Sequence, residues 1–228
     1  ISKKQNIIID NYFAISTHTN TFNDEWFNFD GTITDSFQFW SNSHTPVPKL
    51  SNSDFTIEFF MFVNYTDSSV LNVGQIYTIY SQGNNLLSYN NKTFISIYIK
   101  KITSTIVNLY IDFGTGNYAT ADITNKIQEN NEIHIAFTYK FSNTPDIKLY
   151  INTGLIPLSI DDSSFIALSS TNTTNLIYSR TSSEENSDIG YIGQNIQGAN
   201  FFKGRLKKLK IWKEERTYNH LIDSIGPD

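Results

Sequence analysis

Three observations predict an all-β sandwich of antiparallel sheets for this chain of 228 residues. Segments rich in Ile, Val, Phe, Tyr and Thr recur along its length, and several alternate apolar with polar residues. Short clusters of Gly, Asn, Asp and Pro separate them, which is the chemistry of chain reversal.

Taken in order, the expected strands are FTIEFFMFV (55–63), YTIYSQ (77–82), TFISIYIKKI (93–102), TIVNLYIDF (105–113), EIHIAFTYKF (132–141) and IKLYINTGL (147–155). The turns between them are SQGNN (81–85), FGTGN (113–117), QENN (128–131) and SNTPD (142–146). Alternation is cleanest in 132–141, where Ile133, Ile135, Phe137 and Tyr139 share one face and His134, Ala136, Thr138 and Lys140 the other. Ile147, Leu149 and Ile151 alternate in the same way, so these two strands are expected to form a hairpin. Residues 161–188 are rich in Ser, Thr and Asn and read as a long connection with one short strand at Leu176–Tyr178.

The run FFKGRLKKLKIW (201–212) poses a choice between a basic patch and a core strand. The strand is preferred: Phe202, Leu206, Leu209 and Ile211 or Trp212 would enter the core, while Lys203, Arg205, Lys207, Lys208 and Lys210 lay their stems on apolar surface and keep their heads in water. Trp212 and Trp40 are expected to be mostly buried. At the end, Thr217 is a candidate cap for one short helix through Ile225, stopped by Gly226 and Pro227.

Composition narrows function. Seventeen Phe, 13 Tyr and 3 Trp can build a large aromatic core, and the length suits one all-β domain spanning 1–228. A net charge of -5 disfavours nucleic acid and anionic lipid as partners. The absence of Cys excludes disulfides, thiolate metal sites and a cysteine nucleophile. No apolar run is long enough to span a membrane, so no membrane insertion is expected. The start at Ile1 leads us to expect a piece of a longer chain.

The order of the motifs is informative. FNFDG (27–31) precedes LSNSDFTIEFFMFV (50–63), NEIHIAFTYKFSNTPDIKLYINTGL (131–155) and YIGQNIQGANFFKGRLKKLKIWKEERT (191–217). This succession resembles the laminin G-like and pentraxin-like members of the concanavalin A-like lectin/glucanase superfamily. The resemblance implies a jelly-roll sandwich of two curved antiparallel sheets, a form that the strand count and turn spacing also favour. It implies a non-catalytic domain that binds glycan or protein partners at a cell surface or outside the cell. The alternative is a structural module of a larger assembly with no small ligand.

Departures from the family pattern concern chemistry. Some relatives hold calcium with acidic residues near the FDG turn and the later G-x-I-D step, where this chain carries Lys207. Asp30, Asp161 and Asp162 offer oxygens, but calcium needs six to eight of them converging, so calcium is disfavoured. The superfamily's hydrolases pair carboxylates on one strand, whereas Glu58 is followed at the corresponding positions by Phe60 and Val63. A glycoside hydrolase is therefore an unlikely alternative. His18, His44, His134 and His220 show no metal-ligand spacing, and His134 reads as a packing residue. No catalytic, cofactor-binding or metal-ligating residue is assigned.

Overall fold

The computed structural model describes residues 7–8, 26–32, 36–40, 50, 53–65, 71–84, 92–114, 118–128, 131–141, 146–153, 165–166, 169–170 and 188–225. Its strands are β1 (Ile7–Ile8), β2 (Phe27–Asp30), β3 (Phe37–Trp40), β4 (Phe55–Phe62), β5 (Ile76–Asn84), β6 (Lys92–Lys101), β7 (Val107–Asp112) and β8 (Tyr118–Asp122). A single helical turn, α1 (Thr124–Ile127), leads to β9 (Ile133–Lys140), β10 (Asp146–Thr153), β11 (Phe165–Ile166), β12 (Ser169–Ser170), β13 (Ile189–Ile192) and β14 (Lys203–Trp212), and the helix α2 (Tyr218–Ile225) closes the described chain.

The strands form two antiparallel sheets. The first runs β1-β14-β4-β9-β10-β11, with β2 also on β14, and the second runs β12-β8-β7-β6-β5-β13-β3. All six strands expected from the sequence are present, and β9 and β10 pair from Lys140 opposite Asp146 through Ile133 opposite Thr153. Between the sheets lies one apolar core. The first sheet contributes Phe55, Ile57, Phe59, Ile135 and Phe137, and the second Tyr77, Ile97, Ile99, Leu109 and Ile111. This is the jelly-roll sandwich.

Short elements were less legible. β8 and the two-residue strands β11 and β12 carry too few large side chains to stand out, and they form because a neighbour offers a free edge. The expected strand at 176–178 lies outside the described residues. Turn α1 was not foreseen either: Asp122 Oδ1 accepts the Thr124 N–H at 2.9 Å, and Ile123 and Ile127 are buried on either side. For α2, Thr217 does supply a cap, its hydroxyl accepting the His220 N–H at 3.5 Å.

Strand β14 settles the choice posed by residues 201–212. Phe202, Leu206, Leu209 and Ile211 are buried, and the lysines and arginine between them are half-buried. The spacing of three between Leu206 and Leu209 is accommodated by a β-bulge between Lys207 and Lys210, where Lys208 takes a φ of 49°. One extra residue is absorbed there, so alternation resumes in phase. Trp212 corrects an expectation. Because Ile211 points inward, Trp212 points outward and is only half-buried. The side chain of Trp40 lies outside the description.

Candidate functional site

The outer face of the first sheet holds most of the charged residues that the sequence singled out. Glu58, on β4, is 1% exposed although it faces away from the core. Its Oε1 accepts the Trp212 indole N–H at 2.8 Å, and its Oε2 lies 3.4 Å from His134 Nε2. Burial alone would raise the Glu58 pKa, but His134, the Trp212 N–H and the charge on Lys210 together hold it below its ordinary value. The segment after β14 covers this corner: the Thr56 hydroxyl donates to Glu214 O at 2.9 Å and accepts the Arg216 N–H at 3.0 Å. Arg216 lies 3.9 Å from the Trp212 ring centroid, and Lys148 pairs with Glu215 at 2.8 Å. Glu58 is thus partnered by a histidine and an indole, a pairing between strands that linear spacing did not reveal. Glu58 and His134 are both buried there, at 1% and 4% exposure.

Lys207, at the family's acidic position, is also engaged. Its ammonium lies 2.9 Å from Glu132 and 4.6 Å from the Trp26 ring centroid. Asp30 turns its Oδ1 to the Thr32 N–H at 2.8 Å. A cation held in that place and a carboxylate used by its own turn do not fit a calcium ion. Asp161, Asp162, His18 and His44 lie outside the described residues. His220 is exposed on α2.

The opposite outer face, on the second sheet, has a different character. In β6 and β7, Ile97, Ile99, Leu109 and Ile111 enter the core, so Ser96, Tyr98, Tyr110 and Asp112 face outward. Register then assembles two rows across the sheet. Tyr191, Ser81, Ser96, Asp112 and Tyr118 form one, and Thr78, Tyr98, Tyr110 and Thr120 the other. The bulge in β5 between Thr78 and Tyr80 keeps both rows in phase by letting Ile79 and Tyr80 both face the core.

Ser81 and Ser96 are buried at one end of this face, at 0% and 7% exposure, and the half-buried Tyr98, Tyr110, Asp112 and Tyr118 form its accessible part. Tyr98 and Tyr110 stack with centroids 4.9 Å apart and planes at 7°, and Tyr118 leans on Tyr110 at 5.6 Å. Behind Ser81, the loop after β13 closes the end, with the Ser81 hydroxyl donating to Gln194 O at 2.9 Å. The Gln194 side-chain oxygen is buried there without a hydrogen-bond partner. Asp112 Oδ1 accepts the Gly114 N–H at 2.8 Å, and burial raises the Asp112 pKa against that bond. Burial, and then the neighbouring Asp112, push the Tyr98 phenol well above its ordinary value. Such a face offers flat rings for stacking and hydroxyl, carboxylate and amide groups for directional bonds. Sequence reasoning missed it. The alternation in FISIYIK and VNLYID places these residues outward, but only the register brings them together.

Comparison with known proteins agrees with the architecture. A laminin G domain model, described as concanavalin A-like lectin/glucanases superfamily, matches residues 40–221. The receptor binding domain of botulinum neurotoxin D superposes with a TM-score of 0.54 at 11% identity, over 98% of this chain and 48% of that one. A native heptameric SAP-like pentraxin from Limulus polyphemus gives 0.53 at 14% identity, over 89% of this chain and 81% of that one. The botulinum neurotoxin serotype G binding domain gives 0.52 at 14% identity, over 88% and 42%. The chain spans less than half the length of these toxin domains. No curated protein matches it in sequence.

Proposed function

The chain belongs to the concanavalin A-like lectin/glucanases superfamily, and we propose that it is a non-catalytic recognition domain that binds a glycan outside the cell or at a cell surface. The Tyr98–Tyr110 stack beside Ser96 and Asp112 is the observation that carries this reading. A sugar ring presents C–H groups to an aromatic face while its hydroxyls bond to nearby polar groups, and here both kinds of group share one face of the sheet. The binding role of several structural neighbours is consistent with it. A hydrolytic role is disfavoured because Glu58 is buried, paired with His134 and Trp212, and followed by Phe60 rather than a second carboxylate. No helix among the described residues is long and apolar enough to cross a membrane.

The test is a glycan array followed by calorimetry of the best ligands. Tyr98→Ala is expected to weaken binding roughly tenfold, the worth of one stacking contact. Undiminished binding in a folded Tyr98→Ala protein would move the site elsewhere.

A second reading, a structural module without a small ligand, draws on exposed Val73, Ile102 and Ile106, at 59%, 36% and 39% exposure. These converge where the Val73 bridge meets Lys101 and the Ile102 N–H donates to Ile106 O. An array without binders, together with self-association lost on Ile102→Ser, would favour it.

A further inference from the structure

Resting on the glycan reading, we propose that the tyrosine patch on the second sheet selects an amino sugar, with its ammonium group placed against Asp112 and its ring against the outer side of the Tyr98–Tyr110 stack. The argument is one of charge. Across the two rows on this face, Asp112 is the only residue that carries charge at neutral pH, and no lysine or arginine belongs to either row. Lys92 and Lys100 are the nearest cations along β6, each four residues from Ser96 and so about 13 Å along the strand.

Asp112 has no ion pair among the described residues. Its one hydrogen bond there is the Gly114 N–H on Oδ1. A half-buried carboxylate without a counter-charge is destabilised by lost hydration, and this is the cause of its raised pKa. A ligand cation would supply the missing charge. Tyr118, paired with Asp112 across the strands, and the Tyr98–Tyr110 stack beside it add to this preference, because an aromatic face attracts an ammonium ion and repels an anion.

Neutral sugars would satisfy the hydrogen-bonding capacity of Asp112 and leave its charge uncompensated. Acidic sugars would meet a carboxylate, π faces and a chain with a net charge of -5. An amino sugar combines the stacking ring, the hydroxyls and the ammonium, so it is the member of the glycan class that uses both the tyrosine rings and the Asp112 charge.

The experiment compares glucosamine oligomers with N-acetylglucosamine oligomers of equal length, in which a neutral acetamide replaces the ammonium group. Both are titrated calorimetrically into the full chain below the amine's pKa. The glucosamine oligomer is expected to bind roughly tenfold more tightly, from one half-exposed ion pair and a cation–π contact. Asp112→Asn still accepts the Gly114 N–H, so it should preserve the fold, weaken the glucosamine oligomer more than the acetylated one and erase the preference. Equal or tighter binding of the acetylated oligomer overturns the proposal, as does a preference that survives in Asp112→Asn. If neither oligomer binds while an array returns other glycans, the amino-sugar assignment fails and the glycan reading stands. An array without any binder removes both.

Discussion

His134 Nε2 lies 3.4 Å from Glu58 Oε2, on adjacent strands of the first sheet and beneath the segment that follows β14. With the Trp212 N–H on the other carboxylate oxygen, this pair fastens the C-terminal part of the chain to the outer face of β4 and β9.

Acid stability should therefore depend on Glu58. Its folded pKa lies below the ordinary 4.5, so the stabilisation is present above that pH and is lost as pH falls through the folded value. Glu58→Gln is expected to cost about 3 kcal/mol at neutral pH and to flatten the acid limb of a melting-temperature profile. An unchanged acid limb would show that Glu58 is not the titrating group.

Replacing Trp212 by Phe separates packing from hydrogen bonding. The ring beside Arg216 remains while the donor to a buried carboxylate is lost. Urea denaturation should show a loss of about 2 kcal/mol, with the same loss absent in a Glu58→Ala background, which leaves the indole no acceptor.

Deletion of Lys208 should be tolerated. Two residues of β4, Phe60 and Glu58, span the positions opposite Lys207 and Lys210, so removing the extra residue restores a regular ladder and keeps Leu206, Leu209 and Ile211 inward. The expected change is below about 1 kcal/mol, because strain at a positive φ is removed as the bulge disappears. Deletion of Thr56, inside the regular part of β4, would reverse the faces of part of that strand and should abolish cooperative unfolding. A Lys208 deletion that unfolds the protein would assign the bulge a role that alternation does not explain.

Alkaline titration followed by phenolate absorbance should split the tyrosines into two groups. Tyr139 is pushed up to about 12, by burial and then by Asp54. Tyr80, Tyr98 and Tyr191 also ionise above the ordinary 10, burial being the first cause in each. Raised phenol pKa values favour the folded state below pH 10, and that contribution is lost as pH climbs through the folded values. Ionisation of every tyrosine near 10 with native circular dichroism retained would contradict this burial.

The sequence by itself determined the fold class, the six long strands, the β9–β10 hairpin and the inward set of β14. Each of these follows from local alternation and turn chemistry, which are written within a few residues of one another. The spacing of Leu206 and Leu209 even held the bulge, although its place became evident only beside Phe60 and Glu58. The tertiary structure decided what sits next to what. Glu58 looked solitary because its partners stand 76 and 154 positions away, at His134 and Trp212. Trp212 looked like a core residue until the phase of Ile211 placed it outside. The tyrosine patch depends on β5, β6, β7, β8 and β13 meeting in one register, and no single strand encodes that register. A strand's sequence specifies which face each side chain takes, whereas a site arises from neighbours across strands, which long-range pairing alone supplies.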